Sequence, residues 1–271
     1  MISESNRIIA ALDMSSMSAA IQFAKALREH IAMVKVGFLL FMCGGPPVMR
    51  YLAGEMRFPT FLDLKFPGIP SEVREASADA TRLGVAMFTV YTLNSLEALR
   101  AAREGVDAAM AEPAMAGRSR PKVLGTTVLT SQDYESLRRL GLVGRWVAAP
   151  GEPGQERQRQ ERQIQECIVS LAQLVQEAGL DGVVTSAAAD EVIAVRNACG
   201  PNFTIVATSV NVAGMPVYDQ KRAGRAGEAV AAGADYVVIG RALLQAKDPV
   251  AKVKNFAEEI AAAEAEREAA S

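Results

Sequence analysis

The stretch FLDLKFPGIP, residues 61–70, sets two opposite charges, Asp63 and Lys65, in an otherwise apolar run. Side chains alternate along a β-strand, so residues two apart share a face. Two charges on one face of a buried strand cost free energy unless they pair. Pro67, Gly68, Ile69 and Pro70 then end the strand sharply and open a helix. The charged pair therefore sits near the C-terminal end of its strand. A purely structural ion pair fits this pattern, and so does a reaction centre.

The same strand-then-helix beat repeats on both sides. Short runs rich in Val, Ile and Thr predict strands over 8–13, 33–38, 60–66, 86–92, 123–130, 182–187, 204–210 and 236–240. They are almost continuously apolar, as parallel strands covered on both faces are. Helical patterns lie between most of them. Ser15 or Ser16 is placed to cap the first, Asn94 with Glu97 suits the start of SLEALRAAREG, and Asp248-Pro249 opens the last. Gly84, Gly105, Gly141, Gly179, Gly200 and Gly233 each follow a helical segment, where a left-handed residue stops the helix.

Eight such units in 271 residues predict an α/β fold, a single-domain (β/α)8 TIM barrel. An open doubly wound sheet is the alternative, although no GxGxxG follows any of the strands. Two segments break the beat. RWVAAP, 145–150, reads as an extra strand, and the polar run after it makes 141–166 an expected loop insertion leading into an amphipathic helix. The final EEIAAAEAEREAAS reads as a helix-prone surface tail.

Composition narrows the function. A net charge of -2 without a basic block argues against nucleic acid or an anionic membrane as partner. Cys43, Cys167 and Cys199 are odd in number and far apart, which fits neither a zinc site nor a disulfide framework and suggests a reducing cytoplasm. No apolar run is long enough to cross a bilayer, and the first residues lack a signal-peptide pattern. The single histidine, His30, sits beside Arg28 and Glu29 at a helix end, so histidine-based triads and metal sites are unattractive.

In a barrel of this kind the chemistry sits at the C-terminal ends of the strands. Asp13 ends the first strand, Lys35 interrupts the second, Asp63 and Lys65 lie on the third, and Thr130 ends the fifth. Four charges converging from three adjacent strands are hard to explain as packing. Gly240-Arg241 follows the eighth strand, where exposed backbone N–H groups and a guanidinium suit a phosphate. Gln220, in the loop after the seventh strand, adds a donor. These features describe a phosphorylated small molecule gripped at Arg241, with its reacting end toward Lys35, Asp63 and Lys65.

The set LDLKF…IP, VKVG, TTVLTS, DGVVTSA, DQKR and YVVIGR resembles orotidine 5′-phosphate decarboxylase over nearly the whole chain and in order. The resemblance implies a homodimeric barrel, without metal or organic cofactor, that converts orotidine 5′-phosphate to UMP and carbon dioxide. By this resemblance Lys35, Asp63 and Lys65 are members of a Lys-Asp-Lys-Asp charge network. Asp13 and Lys35 would touch the ribose, Thr130 would lie near the pyrimidine, and Gln220, Gly240 and Arg241 would hold the phosphate.

The chain also departs from the family pattern. The family's second aspartate, donated across the dimer interface, is Gly68 here, a family threonine is Glu72, and the fourth-strand histidine is Tyr91. The TPGIR turn is replaced by residues 208–212. Glu72 lies one helical turn beyond Gly68 and is a candidate to restore the lost negative charge. The alternative function is therefore a non-catalytic or altered-substrate barrel of the same superfamily that binds a nucleotide or sugar phosphate. Magnesium-dependent hexulose-phosphate synthases and keto-gulonate-phosphate decarboxylases belong to that superfamily.

Overall fold

A computed structural model describes residues 7–144, 153–210 and 221–270. Its strands are β1 (Ile8–Ala11), β2 (Met33–Gly37), β3 (Thr60–Phe66), β4 (Met87–Tyr91), β5 (Lys122–Thr126), β6 (Gly182–Ser186), β7 (Thr204–Thr208) and β8 (Tyr236–Ile239). They pair in parallel in chain order, and β1 also pairs β8 with Ile9 opposite Val238, which closes the barrel. Each of the eight predicted strands is present, and closure excludes the open sheet.

The helices are α1 (Met17–Leu27), α2 (Phe38–Met49), α3 (Pro70–Arg82), α4 (Leu96–Met110), α5 (Tyr134–Arg139), α6 (Pro153–Glu177), α7 (Ala189–Cys199), α8 (Ala226–Ala231), α9 (Arg241–Leu244) and α10 (Pro249–Ala270). Ser16 caps α1 by accepting from Ala19 N–H at 3.3 Å, and Asp248 caps α10 through Ala251 N–H at 2.9 Å. Gly84, Gly141, Gly179, Gly200 and Gly233 have positive φ and end helices as expected.

The core has two parts, and their registers place the site. Between strands and helices lies a large apolar layer that includes Val34, Leu62, Phe88, Val123 and Ile205. Inside the barrel, Ile9, Met33, Phe61, Met87, Leu124, Val184, Val206 and Val238 form a separate plug, one from each strand, joined by Ala11. Burying each large side chain of this kind stabilises by roughly 1.5–3 kcal/mol. The lumen-facing row continues two residues further along each strand. It passes from Met33 to Lys35, Phe61 to Asp63, Met87 to Thr89, Leu124 to Thr126 and Val238 to Gly240. The apolar plug thus gives way to a polar layer at the C-terminal mouth.

Four sequence-based expectations change. The strand β5 stops at Thr126, so Thr130 lies in the following turn rather than at the strand end. Ser95, not Asn94, caps α4 by accepting from Ala98 N–H. Gly105 does not stop a helix. It lies inside α4, where a Cβ would come within 2.1 Å of the Arg74 carbonyl oxygen of α3. Residues 153–166 of the expected insertion are the first turns of α6, with Ile164 buried. The 145–150 run lies outside the described residues.

Candidate active site

Asp13, Lys35, Asp63 and Lys65 meet at the mouth as a row of alternating charges. Lys35 Nζ is 3.1 Å from Asp13 Oδ1 and 3.8 Å from Asp63 Oδ2, and Lys65 Nζ is 2.8 Å from Asp63 Oδ1. Asp63 is 9% exposed, so its charge is stable only because it is paired. Burial alone pushes its carboxyl up. The ammonium groups of Lys65 and Lys35, with hydrogen bonds from Lys65 and Thr89, outweigh that and hold it below the usual carboxylate range.

Lys65 is held in an unusual backbone conformation, with φ +49°. The β3–β4 register slips between Leu62 and Phe66, which marks a bulge around it. A non-glycine residue in this region costs of order 1–3 kcal/mol and persists where its surroundings fix it. Thr89 supplies the fixing. Its hydroxyl accepts from Lys65 N–H at 2.8 Å and donates to Asp63 Oδ1 at 3.0 Å. Sequence reasoning missed Thr89; the only signal was its position two residues beyond Met87 on the lumen face.

Gly240, Arg241 and Thr130 follow strand ends on the same side of the barrel. Gly240 stands beside Asp13, since a Cβ there would lie 3.5 Å from Asp13 Oδ2. The two residues come from neighbouring strand ends, because β8 and β1 are paired. Arg241 follows as the first residue of α9. Thr130 is tied in through its backbone, its carbonyl accepting from Lys221 N–H at 2.9 Å and Arg222 N–H at 3.3 Å. Gln220 lies outside the described residues.

Lys221 and Arg222 belong to a seam that joins three loops. Arg222 donates to Glu191 Oε1 at 2.7 Å, to the Val128 carbonyl at 2.7 Å and to the Leu129 carbonyl at 3.1 Å. Lys221 Nζ meets Asp133 Oδ2 at 2.6 Å. Gly224 packs so closely that a Cβ would lie 1.8 Å from the Ala187 carbonyl oxygen, and it bridges to Val210. The segment after Gln220 is thereby fastened to the turn that carries Thr130. Among the described residues no cluster of three His, Cys, Asp or Glu side chains is placed to hold a metal.

Residues 6–256 match the Orotidine 5′-phosphate decarboxylase / HUMPS family. The chain belongs to this family. A relative named orotidine 5′-phosphate decarboxylase from Geobacter sulfurreducens is 38% identical over 259 residues, covering 94% of this chain and 96% of its own. The crystal structure of orotidine 5′-phosphate decarboxylase from Lactobacillus acidophilus superposes with a TM-score of 0.74 at 27% identity, covering 94% of this chain and 99% of that one. An uncharacterized conserved protein from Geobacillus kaustophilus superposes at 0.71 with 31% identity, covering 93% and 99%.

Against the decarboxylase-family pattern, the strand end after Lys65 is rebuilt. Gly68 has φ +149°, a conformation open chiefly to glycine, and its N–H donates to Asn94 Oδ1 at 3.2 Å. The Asn94 amide also donates to the Phe66 carbonyl at 3.0 Å. Asn94 therefore pins the chain between β3 and α3 instead of capping α4. The Glu72 carboxylate fills the space beside Gly68, where a Cβ would lie 2.7 Å from Glu72 Oε2, and it accepts from Ile69 N–H at 3.4 Å. A carboxylate thus lies beside Gly68, the position that the resemblance assigns to the family's second aspartate.

Proposed function

We propose that this chain decarboxylates orotidine 5′-phosphate to UMP. The observation that carries the reading is the alternating row Asp13–Lys35–Asp63–Lys65 at the barrel mouth, in a chain of this family. The activity that names these relatives points the same way.

In the proposed reaction the bond between the ring carbon and the carboxylate breaks, carbon dioxide leaves, and the electron pair stays on the ring carbon. The Lys65 ammonium faces that charge, stabilises it and then delivers a proton to the carbon. Water restores the proton on Lys65. An ionised Asp63 holds the ammonium in place. Gly240 and Arg241, with Gln220, are proposed to grip the phosphate, and Asp13 and Lys35 to meet the ribose. Binding energy from the phosphate end would then be available to the reacting end.

We further propose a homodimer. Phe38, Leu39 and Met42 of α2, Ile69 after β3 and Leu93 after β4 are exposed large apolar residues. They follow the ends of three adjacent strands, β2, β3 and β4, and large apolar side chains exposed on one side of a barrel are what an interface would cover. Among the described residues no helix is long and apolar enough to cross a membrane, and the three cysteines are free, which supports the cytoplasm as the setting.

The test is a steady-state assay of orotidine 5′-phosphate loss with matching release of UMP and carbon dioxide, in buffer containing a chelator. Turnover supports the reading. Binding of UMP without turnover would instead favour a non-catalytic nucleotide binder, the reading that Gly68 keeps open. Turnover that chelator abolishes would favour a magnesium-dependent member of the superfamily.

A further inference from the structure

Thr126 is the last residue of β5 and is 4% exposed, yet its hydroxyl has no hydrogen-bond partner among the described residues. Buried hydroxyls are nearly always paired, because an unpaired one has given up water for nothing. Ser77, Thr92 and Ser209 are the other buried hydroxyls without a partner among the described residues, and none of them continues the lumen-facing row above the plug; two threonines near Thr126 are paired. Thr127 donates to the Val184 carbonyl at 3.0 Å, and Thr89 donates to Asp63 at 3.0 Å.

The register shows where the orphan points. Leu124, two residues earlier, belongs to the plug inside the barrel, whereas Val123 belongs to the layer outside it. Alternation therefore turns Thr126 into the lumen, one step above the apolar plug. Lys35, Asp63 and Thr89 stand one step above their own plug residues in the same way. Across the β4–β5 pairing, Thr126 lies opposite Tyr91. Packing gives no reason for a hydroxyl there, since valine fills nearly the same volume without a polar atom.

We propose that Thr126 is a substrate-binding residue on the floor of the mouth, its hydroxyl donating a hydrogen bond to a ring carbonyl oxygen of the bound pyrimidine. The inference rests on the proposed function, which supplies the ring. A pyrimidine dione presents carbonyl acceptors, and a threonine hydroxyl is a donor free to rotate toward one. A site built to bond such a group loses affinity sharply when the donor is removed.

The test compares Thr126→Val, Thr126→Ala and Thr126→Ser with wild type, using orotidine 5′-phosphate as substrate and UMP as the binding probe. Thr126→Val is expected to raise the KM for orotidine 5′-phosphate and the Kd for UMP about tenfold, as expected for one lost hydrogen bond. Its melting temperature should hold or rise, because an unpaired polar atom has gone. Thr126→Ser should recover most of the affinity, and Thr126→Ala should repeat the loss if the valine variant does not fold. A structural role for the hydroxyl would show the reverse, with a lower melting temperature and unchanged KM. A wild type that converts substrate and binds UMP, beside valine and alanine variants within twofold of it, overturns the assignment of Thr126 alone. A wild type that does neither overturns the functional reading and this inference with it.

Discussion

Asp63 is pulled in two directions, and the balance has a measurable consequence. Burial raises its carboxyl, while Lys65, Lys35 and the hydrogen bonds from Lys65 and Thr89 lower it further than burial lifts it. A carboxyl lowered on folding adds stability above its unfolded value of about 3.9 and loses it as pH falls through the folded value. Urea unfolding of wild type and Asp63→Asn should therefore differ most near neutrality and converge in acid; an equal gap at pH 7 and pH 3 would contradict this. Gly68 makes a second prediction. Its φ of +149° and the nearby Glu72 carboxylate mean that Gly68→Ala should lose roughly 1–3 kcal/mol in chemical denaturation. Adding Glu72→Ala should return only the part due to contact, because the backbone strain remains. Lys35, Asp63 and Lys65 were legible in the sequence because charges in apolar strands stand out and alternation fixes their face. Thr89 was not, since threonine is ordinary in strands and its value comes from two partners on β3. Asn94 looked like a cap because Ser95 beside it makes one, and its true partners lie at the end of another strand.

At the scale of elements, the seam around Arg222 is the feature with most at stake. Burial pushes the Glu191 carboxyl up, and Arg222 opposes that rise. An acid raised on folding stabilises fully below its unfolded value and loses that contribution as pH rises through the folded value. Arg222→Met leaves Glu191 buried without its cation, a loss of about 3–5 kcal/mol at neutral pH. That deficit should shrink as pH is lowered, because protonation of Glu191 removes the unpaired buried charge; urea denaturation at pH 7 and pH 5 measures it, and a deficit independent of pH would contradict the pairing. The DQKR run was visible in the sequence, but Glu191 is 31 residues away and nothing local joins the two. The strands and five of the six stop glycines were readable because both are local signals, apolar runs and left-handed turns. Gly105 was misread because its reason is tertiary: α3 and α4 approach until the Arg74 carbonyl occupies the place of a side chain.

At the scale of the whole molecule, closure of the barrel converts separate strand ends into one mouth. Asp13 and Gly240 lie far apart in sequence and become neighbours only because β1 pairs with β8. The rim on the other side is apolar, with Met42 80% exposed. Sedimentation should give about twice the 28.8 kDa chain mass, and Met42→Glu should shift the boundary toward the monomer. A wild type that sediments as a monomer at micromolar concentration would contradict the homodimer. The central claim is chemical: the alternating row at the mouth performs the reaction, with Lys65 facing the charge that forms. Its most direct measurement is single-turnover decarboxylation of saturating orotidine 5′-phosphate by wild type and Lys65→Ala, with UMP affinity measured on both. The account predicts a rate lower by about 10²–10⁴-fold in the variant while UMP affinity stays within a few fold. Decarboxylation by Lys65→Ala at the wild-type rate would contradict it.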